Sequence, residues 1–181
     1  MKQEFNITIF SENNIGLLNR ITINFTRRKI NIESLIVSAS AIEGISKFII
    51  VVYETGDRVQ RLVSQLEKIV DVLKVYYTTN EEMIYQEIAL YKVSSEHLYD
   101  NKTIETIVRK SGARILEATH EYVVVEKTGH KDETQELFGK LNQYGGVTQF
   151  VRSGRVAITR DPIELLSEFL RERDTLLSQI D

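Results

Sequence analysis

The amino-acid sequence predicts an α+β protein: two consecutive strand–helix–strand–strand–helix–strand units followed by a C-terminal helix. Three observations predict it. Apolar residues alternate with period two and then recur with a period near 3.6, in the same order, twice over. A polar break, Asn80-Glu81-Glu82, separates the two runs. After Asp161-Pro162 the apolar spacing changes to threes and fours. The expected organisation is a first domain over 1–79, a second over 80–160 and a helical extension over 161–181.

In the first unit, Phe5, Ile7 and Ile9 alternate with Asn6 and Thr8, the pattern of a half-buried strand. A helix is predicted at about 17–28, with Leu18, Ile21 and Phe25 on one face. Leu35, Val37 and Ala39 share one side of a second strand, and Ile36 points to the other. Gly44 turns the chain into a third strand, Ile45 to Tyr53, whose unbroken apolar run predicts cover on both faces. Asp57 and Gln60 stand at capping-box spacing, and Val59, Leu62, Val63, Leu66 and Ile69 repeat helically behind them. Val72 to Thr78 is the fourth strand, with Leu73, Val75 and Tyr77 on one side. This order is the split βαβ, ferredoxin-like pattern, with both helices on one face of the sheet.

The second unit repeats the order without repeating the residues. Glu87 to Val93 is a strand, and Ile104, Ile107 and Val108 mark a helix that Gly112 can end. Ala113 to Thr119 and Tyr122 to Lys127 make two strands around a turn at His120-Glu121. Asp132 and Gln135 have capping-box spacing, Leu137, Phe138 and Leu141 give the next helix its apolar face, and Gly145-Gly146 stop it. Val147 to Arg152 follows, continued after Ser153-Gly154 by Arg155 to Thr159. Units of about 80 residues hold only marginal cores, so pairing with another sheet or another copy is expected.

In the tail, Asp161 suits an N-cap, Pro162 a first helical position, and Glu164 the first turn. Ile163, Leu166, Leu170, Leu177 and Ile180 then form a short seam, interrupted by Arg173. Two readings stand: a helix packed on its own second domain, or one that docks a partner.

Composition narrows the function. Of 181 residues, 42% are hydrophobic and 27% charged, the balance of a globular chain. The net charge of −3 gives no general attraction to nucleic acid or anionic membrane. Cysteine is absent, which removes disulfides, thiolate nucleophiles and thiolate metal sites. The N-terminus runs directly into a strand, so no secretory leader is expected, and the apolar run Phe48 to Tyr53 is too short to span a bilayer. A cytoplasmic protein is expected.

The stretch with most chemistry is Glu12-Asn13-Asn14-Ile15-Gly16-Leu17-Leu18-Asn19-Arg20, between the first strand and first helix. Asn13 and Asn14 suit side-chain caps of the helix, and Gly16 allows close backbone approach. The opening turn offers N–H groups without intrahelical partners and a partial positive charge, a place for a carboxylate or phosphate. Asn31, at the start of the second strand, adds an amide that both donates and accepts. Asn-rich loops with one glycine also serve as plain turns.

That loop, followed by Asn31-Ile32-Glu33-Ser34-Leu35 and Val70-Asp71-Val72-Leu73-Lys74-Val75, closely resembles the N-terminal ACT domain of acetolactate synthase (acetohydroxyacid synthase) small regulatory subunits. Glu87-Ile88-Ala89-Leu90-Tyr91-Lys92-Val93 and Arg152-Ser153-Gly154-Arg155-Val156-Ala157 resemble the family's C-terminal domain; the helix after Asp161 extends past the usual family ending. The resemblance implies a non-catalytic homodimer joined through ACT domains, which binds and activates a separate large catalytic subunit and confers feedback inhibition by valine or another branched-chain amino acid. Thiamine diphosphate, FAD and magnesium are implied in the large subunit and no cofactor in this chain. Carried over by position, Asn13 and Gly16 hold the ligand from the loop, Ile15 and Leu17 shape its apolar side, and Asn31 comes from the facing subunit. The alternative is a stand-alone ACT-type sensor acting on another enzyme or a transcription regulator.

No catalytic constellation emerges. His97, His120 and His130 lack close metal-ligand spacing. Nucleophile-elbow, phosphate-loop and dinucleotide motifs are absent from the sequence. Acid pairs such as Glu81-Glu82 and Asp132-Glu133 suit loops and helix starts. Arg152-Ser153-Gly154-Arg155 has an anion-binding pattern, but paired surface arginines are common.

Overall fold

The computed structural model describes residues 1–95, 102–163 and 166–171. Contacts divide the chain into two compact units, Met1–Ile84 with the segment from Ala157 onward, and Tyr85–Val156.

The first unit orders β1 (Gln3–Glu12), α1 (Leu17–Arg27), β2 (Ser34–Ala39), β3 (Ile45–Glu54), α2 (Gly56–Leu66) and β4 (Val72–Thr78). Its sheet is antiparallel in the order β2-β3-β1-β4, the ferredoxin-like arrangement expected. Phe5, Ile7, Ile9, Phe48, Ile50 and Val52 enter one core with α1 and α2. On α1 the buried residues are Leu17, Ile21 and Phe25, while Leu18 is half exposed, so the apolar face is turned one residue from the expected one. The reason is the helix start: Gly16 is the N-cap and Leu17 the first helical residue, four before Ile21.

The expectation of a half-buried first strand is corrected. Asn6 and Thr8 are 0% and 1% exposed, because the face away from the helices is covered as well. Asn6 donates to Asn80 Oδ1 at 3.2 Å. Thr8 and Tyr76 line a 290 Å³ pocket with Met83, Ala157, Thr159 and Asp161. The same cover buries Ile49 and Val51, so β3 is buried on both faces as its apolar run predicts.

Helix starts differ from the sequence reading. Asp57 lies inside α2, whose N-cap is Thr55 without a side-chain cap bond. A capping box forms instead at Thr79 and Glu82, opening a 3-10 turn at Asn80–Glu82. Asp161, Pro162 and Ile163 are bends and not the cap and first turn of the tail helix, which is helical over 166–171. Leu177 and Ile180 of the expected seam, Arg173 that interrupts it and the first-turn Glu164 lie outside the described residues, as does His97.

In the second unit, β5 (Met83–Ser94, continuous from the first unit), α3 (Lys102–Lys110), β6 (Arg114–Ala118), β7 (Tyr122–Gly129), α4 (Lys131–Gly145) and β8 (Val147–Arg152) repeat the pattern in the order β6-β7-β5-β8, and β9 (Val156–Thr159) pairs with β5 off that path. Tyr91 is buried at its centre, stacked on Phe150 with ring centroids 5.1 Å apart, and donates its hydroxyl to Thr134 O at 2.7 Å. Burial pushes its phenol up to about 12. α4 is capped by a His130–Glu133 box rather than by Asp132 and Gln135. Both central strands carry a register slip at the same place against the fourth strand, Phe10/Ser11 in β1 and Lys92/Val93 in β5. That shared bulge marks the repeat more clearly than any residue identity does.

Candidate functional site

The β1–α1 loop is built from short polar ties. Glu12 N–H donates to Asp71 O at 2.9 Å, and Asn13 N–H to Gly44 O at 3.0 Å. Leu17 N–H reaches Asn14 O at 3.3 Å. The Asn14 carboxamide donates to Glu12 Oε2 at 3.1 Å and to Asp71 Oδ1 at 2.9 Å. It does not cap the helix: Gly16, which has no side chain to do so, holds the N-cap in the left-handed region at φ 84°. The capping role expected of Asn13 and Asn14 is thus replaced by a glycine turn, with Asn14 drawn instead to two carboxylates. Arg20 pairs with the second Asp71 oxygen.

This arrangement leaves donors facing outward. Among the described residues, the amides of Ile15, Gly16, Leu18 and Asn19 have no protein acceptor, and the Asn13 carboxamide has no side-chain partner. Arg20 N–H returns to Gly16 O at 3.3 Å, where the regular helix ladder takes over. Four free N–H groups at a helix N-terminus attract a carboxylate.

The five sequence-predicted residues fall in three places. Asn13, Ile15 and Gly16 are exposed on the loop, Ile15 completely so. Leu17 is 2% exposed and packs in the core below. Asn31 is exposed before β2, its amide donating to Glu33 Oε1 at 2.7 Å. The register places Asn31 far from the loop. Ser34 pairs with Val51, whereas Glu12 pairs with Ile45, so they occupy opposite ends of the sheet, about 20 Å apart at roughly 3.4 Å per residue. β2 is an edge strand, and Val37 on it is 43% exposed.

The other candidates are engaged within their own unit. Arg152 pairs with buried Glu87 at 3.1 Å, and the Arg155 guanidinium lies over the Tyr85 ring at 3.9 Å, so their anion-binding pattern is spent on structure. His130 caps α4, and the backbone carbonyl of His120 accepts the Ser95 hydroxyl. Sequence reasoning quoted Arg20 and Asp71 in separate motifs and missed the tie between them; their spacing of 51 residues left no local signal.

A four-stranded split βαβ sheet with a glycine-capped first loop is the arrangement of an ACT-type domain. The family comparisons agree and are more specific. Residues 7–74 match a family described as the AHAS small subunit-like ACT domain, and residues 86–161 one described as the small subunit of acetolactate synthase. The acetolactate synthase small subunit of Bacillus subtilis is 36% identical over 155 residues, covering 85% of this chain and 89% of that protein. A probable acetolactate synthase small subunit of Archaeoglobus fulgidus is 30% identical over 154 residues, 85% of this chain and 95% of its own. The crystal structure of the Thermotoga maritima acetolactate synthase small subunit superposes with a TM-score of 0.80 at 26% identity, over 89% of this chain and 99% of that one. The chain belongs to the acetolactate synthase small subunit family. Such a subunit is regulatory, and membership implies partnership with a large catalytic subunit.

Proposed function

We propose that this chain dimerises through the β2 edge, binds valine or a related branched-chain amino acid at the junction, activates the large catalytic subunit and imposes feedback inhibition on it. The observation that carries the reading is the separation of the loop from Asn31 along the sheet. One chain cannot bring them together. Two copies with antiparallel β2 edges set the start of one β2 level with the other copy's loop. The ligand carboxylate then takes the amides at Ile15 and Gly16, and the ammonium the amide oxygens of Asn13 and the partner's Asn31. The alkyl group lies along Ile15. Leu17 acts from below, fixing the helix start. Catalysis, with thiamine diphosphate, FAD and magnesium, belongs to the large subunit in this reading, and a cytoplasmic setting fits it.

The second unit supports a docking role. Its sheet face away from α3 and α4 presents Ile88, Leu90, Val124 and Val151, with a 560 Å³ pocket beside Lys92 and Tyr122. Such an apolar face suits the catalytic partner.

Calorimetry with valine, leucine and isoleucine, followed by acetolactate formation with the large subunit, tests the scheme. Val37→Lys, charging the edge, is expected to shift the chain toward monomer and to abolish ligand heat together. Asn13→Ala is expected to keep activation and lose valine inhibition. A monomeric wild-type chain that binds valine fully defeats the shared site.

A further inference from the structure

We propose that Asp71, on the turn between α2 and β4, is a positioning residue that sets where the loop amides stand. The inference rests on the reading of the β1–α1 loop as the amino-acid site. Asp71 holds three elements at once. Its carbonyl accepts the Glu12 N–H at the end of β1, one carboxylate oxygen accepts the Asn14 carboxamide in the loop, and the other pairs with Arg20 in the first turn of α1. Its side chain is only 18% exposed, against 47% for Arg20.

The bulge explains how Asp71 comes abreast of the loop. Phe10 pairs with Lys74 but Ser11 with Val72, so Leu73 is the extra residue and β4 bends just past Asp71. Apart from these ties the loop is held by the Asn13 N–H to Gly44 O, by the bonds of Asn14 to Glu12 and by Leu17 in the core, and its tip packs on nothing. Ile15 is fully exposed, and a Cβ on Gly16 would meet no atom within 4 Å. Its shape therefore depends on the polar ties at its base. Asn14 stands between those ties and the helix, because its own carbonyl receives the Leu17 N–H. Arg20 balances the Asp71 charge, so the acceptor reaches the loop without adding an uncompensated anion beside amides meant for a carboxylate.

The test uses the full chain, with valine as the probe. Asp71→Ala, Asp71→Asn, Asn14→Ala and the double variant Asn14→Ala/Asp71→Ala are compared in three measurements: valine affinity by calorimetry, hydrogen exchange of the bonded amides of Asn13, Asn14 and Leu17 without ligand, and thermal midpoint. Asp71→Ala and Asn14→Ala are each expected to weaken valine binding about tenfold, the scale of losing a hydrogen bond to a charged group, and to speed exchange at those three amides. The double variant should be no weaker than Asp71→Ala. Asp71→Asn keeps an acceptor for Asn14 and should recover most of the affinity. Unchanged exchange and affinity in Asp71→Ala, or losses that add in the double variant, overturn the assignment. If Asp71→Ala unfolds, Asn14→Ala on the exposed loop carries the same test. If the wild-type chain gives no heat with valine, the functional reading fails, and exchange at the Asn13, Asn14 and Leu17 amides alone decides whether Asp71 positions the loop.

Discussion

Gly16 separates backbone strain from ligand electrostatics. Its φ of 84° lies where L-residues pay about 1–2 kcal/mol. A Cβ there meets nothing within 4 Å, so no steric cost is added. Gly16→Ala should therefore lose about 1–2 kcal/mol of stability and stay folded. Asp tolerates the left-handed region better than Ala, so Gly16→Asp should be the more stable of the two. Binding should order them the other way. An aspartate carboxylate near the free amides of Ile15 and Gly16 opposes a bound carboxylate. At roughly 6 Å and an effective dielectric of about 40 this is about 1.4 kcal/mol, a tenfold loss of affinity. The Asp side chain also competes for the same donors. Urea denaturation gives the first ordering and calorimetry with valine the second. If affinity simply follows stability, with the Asp variant binding better than the Ala variant, the amides do not hold the ligand's carboxylate.

Two further outcomes follow from burial and charge. Leu17→Ala is expected to cost about 2–5 kcal/mol, because the side chain is 2% exposed in the core, and to lower the thermal midpoint sharply. Ile15→Ala, fully exposed, should leave the midpoint unchanged and weaken only ligand binding; a large fall in midpoint would mean that Ile15 packs somewhere in solution. The buried Glu54 carboxyl is held below its ordinary value of 4.5 chiefly by the hydrogen bond from Lys2, helped by the Thr55 N–H and Arg58 and opposed by burial. A group with a lowered folded pKa adds stability that is present above the unfolded value and lost as pH falls through the folded one. Stability should thus drop below about pH 4.5, and Glu54→Gln should flatten that acid limb in denaturant titrations; an equally steep limb in the variant would assign the acid loss elsewhere.

The fold was legible because each strand and helix carries its own period. Phe5, Ile7 and Ile9 declare a sheet face, and Val59, Leu62, Val63 and Leu66 a helix face, without help from distant residues. What escaped depends on contacts remote in sequence. Asn6 and Thr8 read as solvent-facing, yet Asn80 bonds Asn6, and Ala157, Ile158 and Thr159 stand with Thr8 around one pocket. The caps of α1, α2 and α4 were misplaced by two or three residues, because several acids and amides compete at each start and only backbone geometry chooses among them. In α1 the choice fell on Gly16, which moved Leu17 into the core and released Asn14 to Asp71. The exposed loop residues were visible as a motif, but the ties that hold them came from Gly44 and Asp71, on the turns before the two neighbouring strands and remote in sequence.

In the proposed scheme, those ties carry the effect of a bound amino acid toward the partner subunit. The loop, α1 and the α2–β4 turn share one carboxylate, Asp71, and α1 is anchored at the same time by Leu17, Ile21 and Phe25 in the core. A ligand pulling on the amides at the start of α1 cannot shift the loop without moving the Arg20–Asp71 pair or the helix itself. Tight core packing resists small graded displacements, so the movement that remains is of the unit as a body about its edge strand. In a dimer joined at β2 such a movement alters the angle between copies. Couplings of this kind typically amount to about 1–3 kcal/mol, and a few polar ties of about 1 kcal/mol each are enough to supply it.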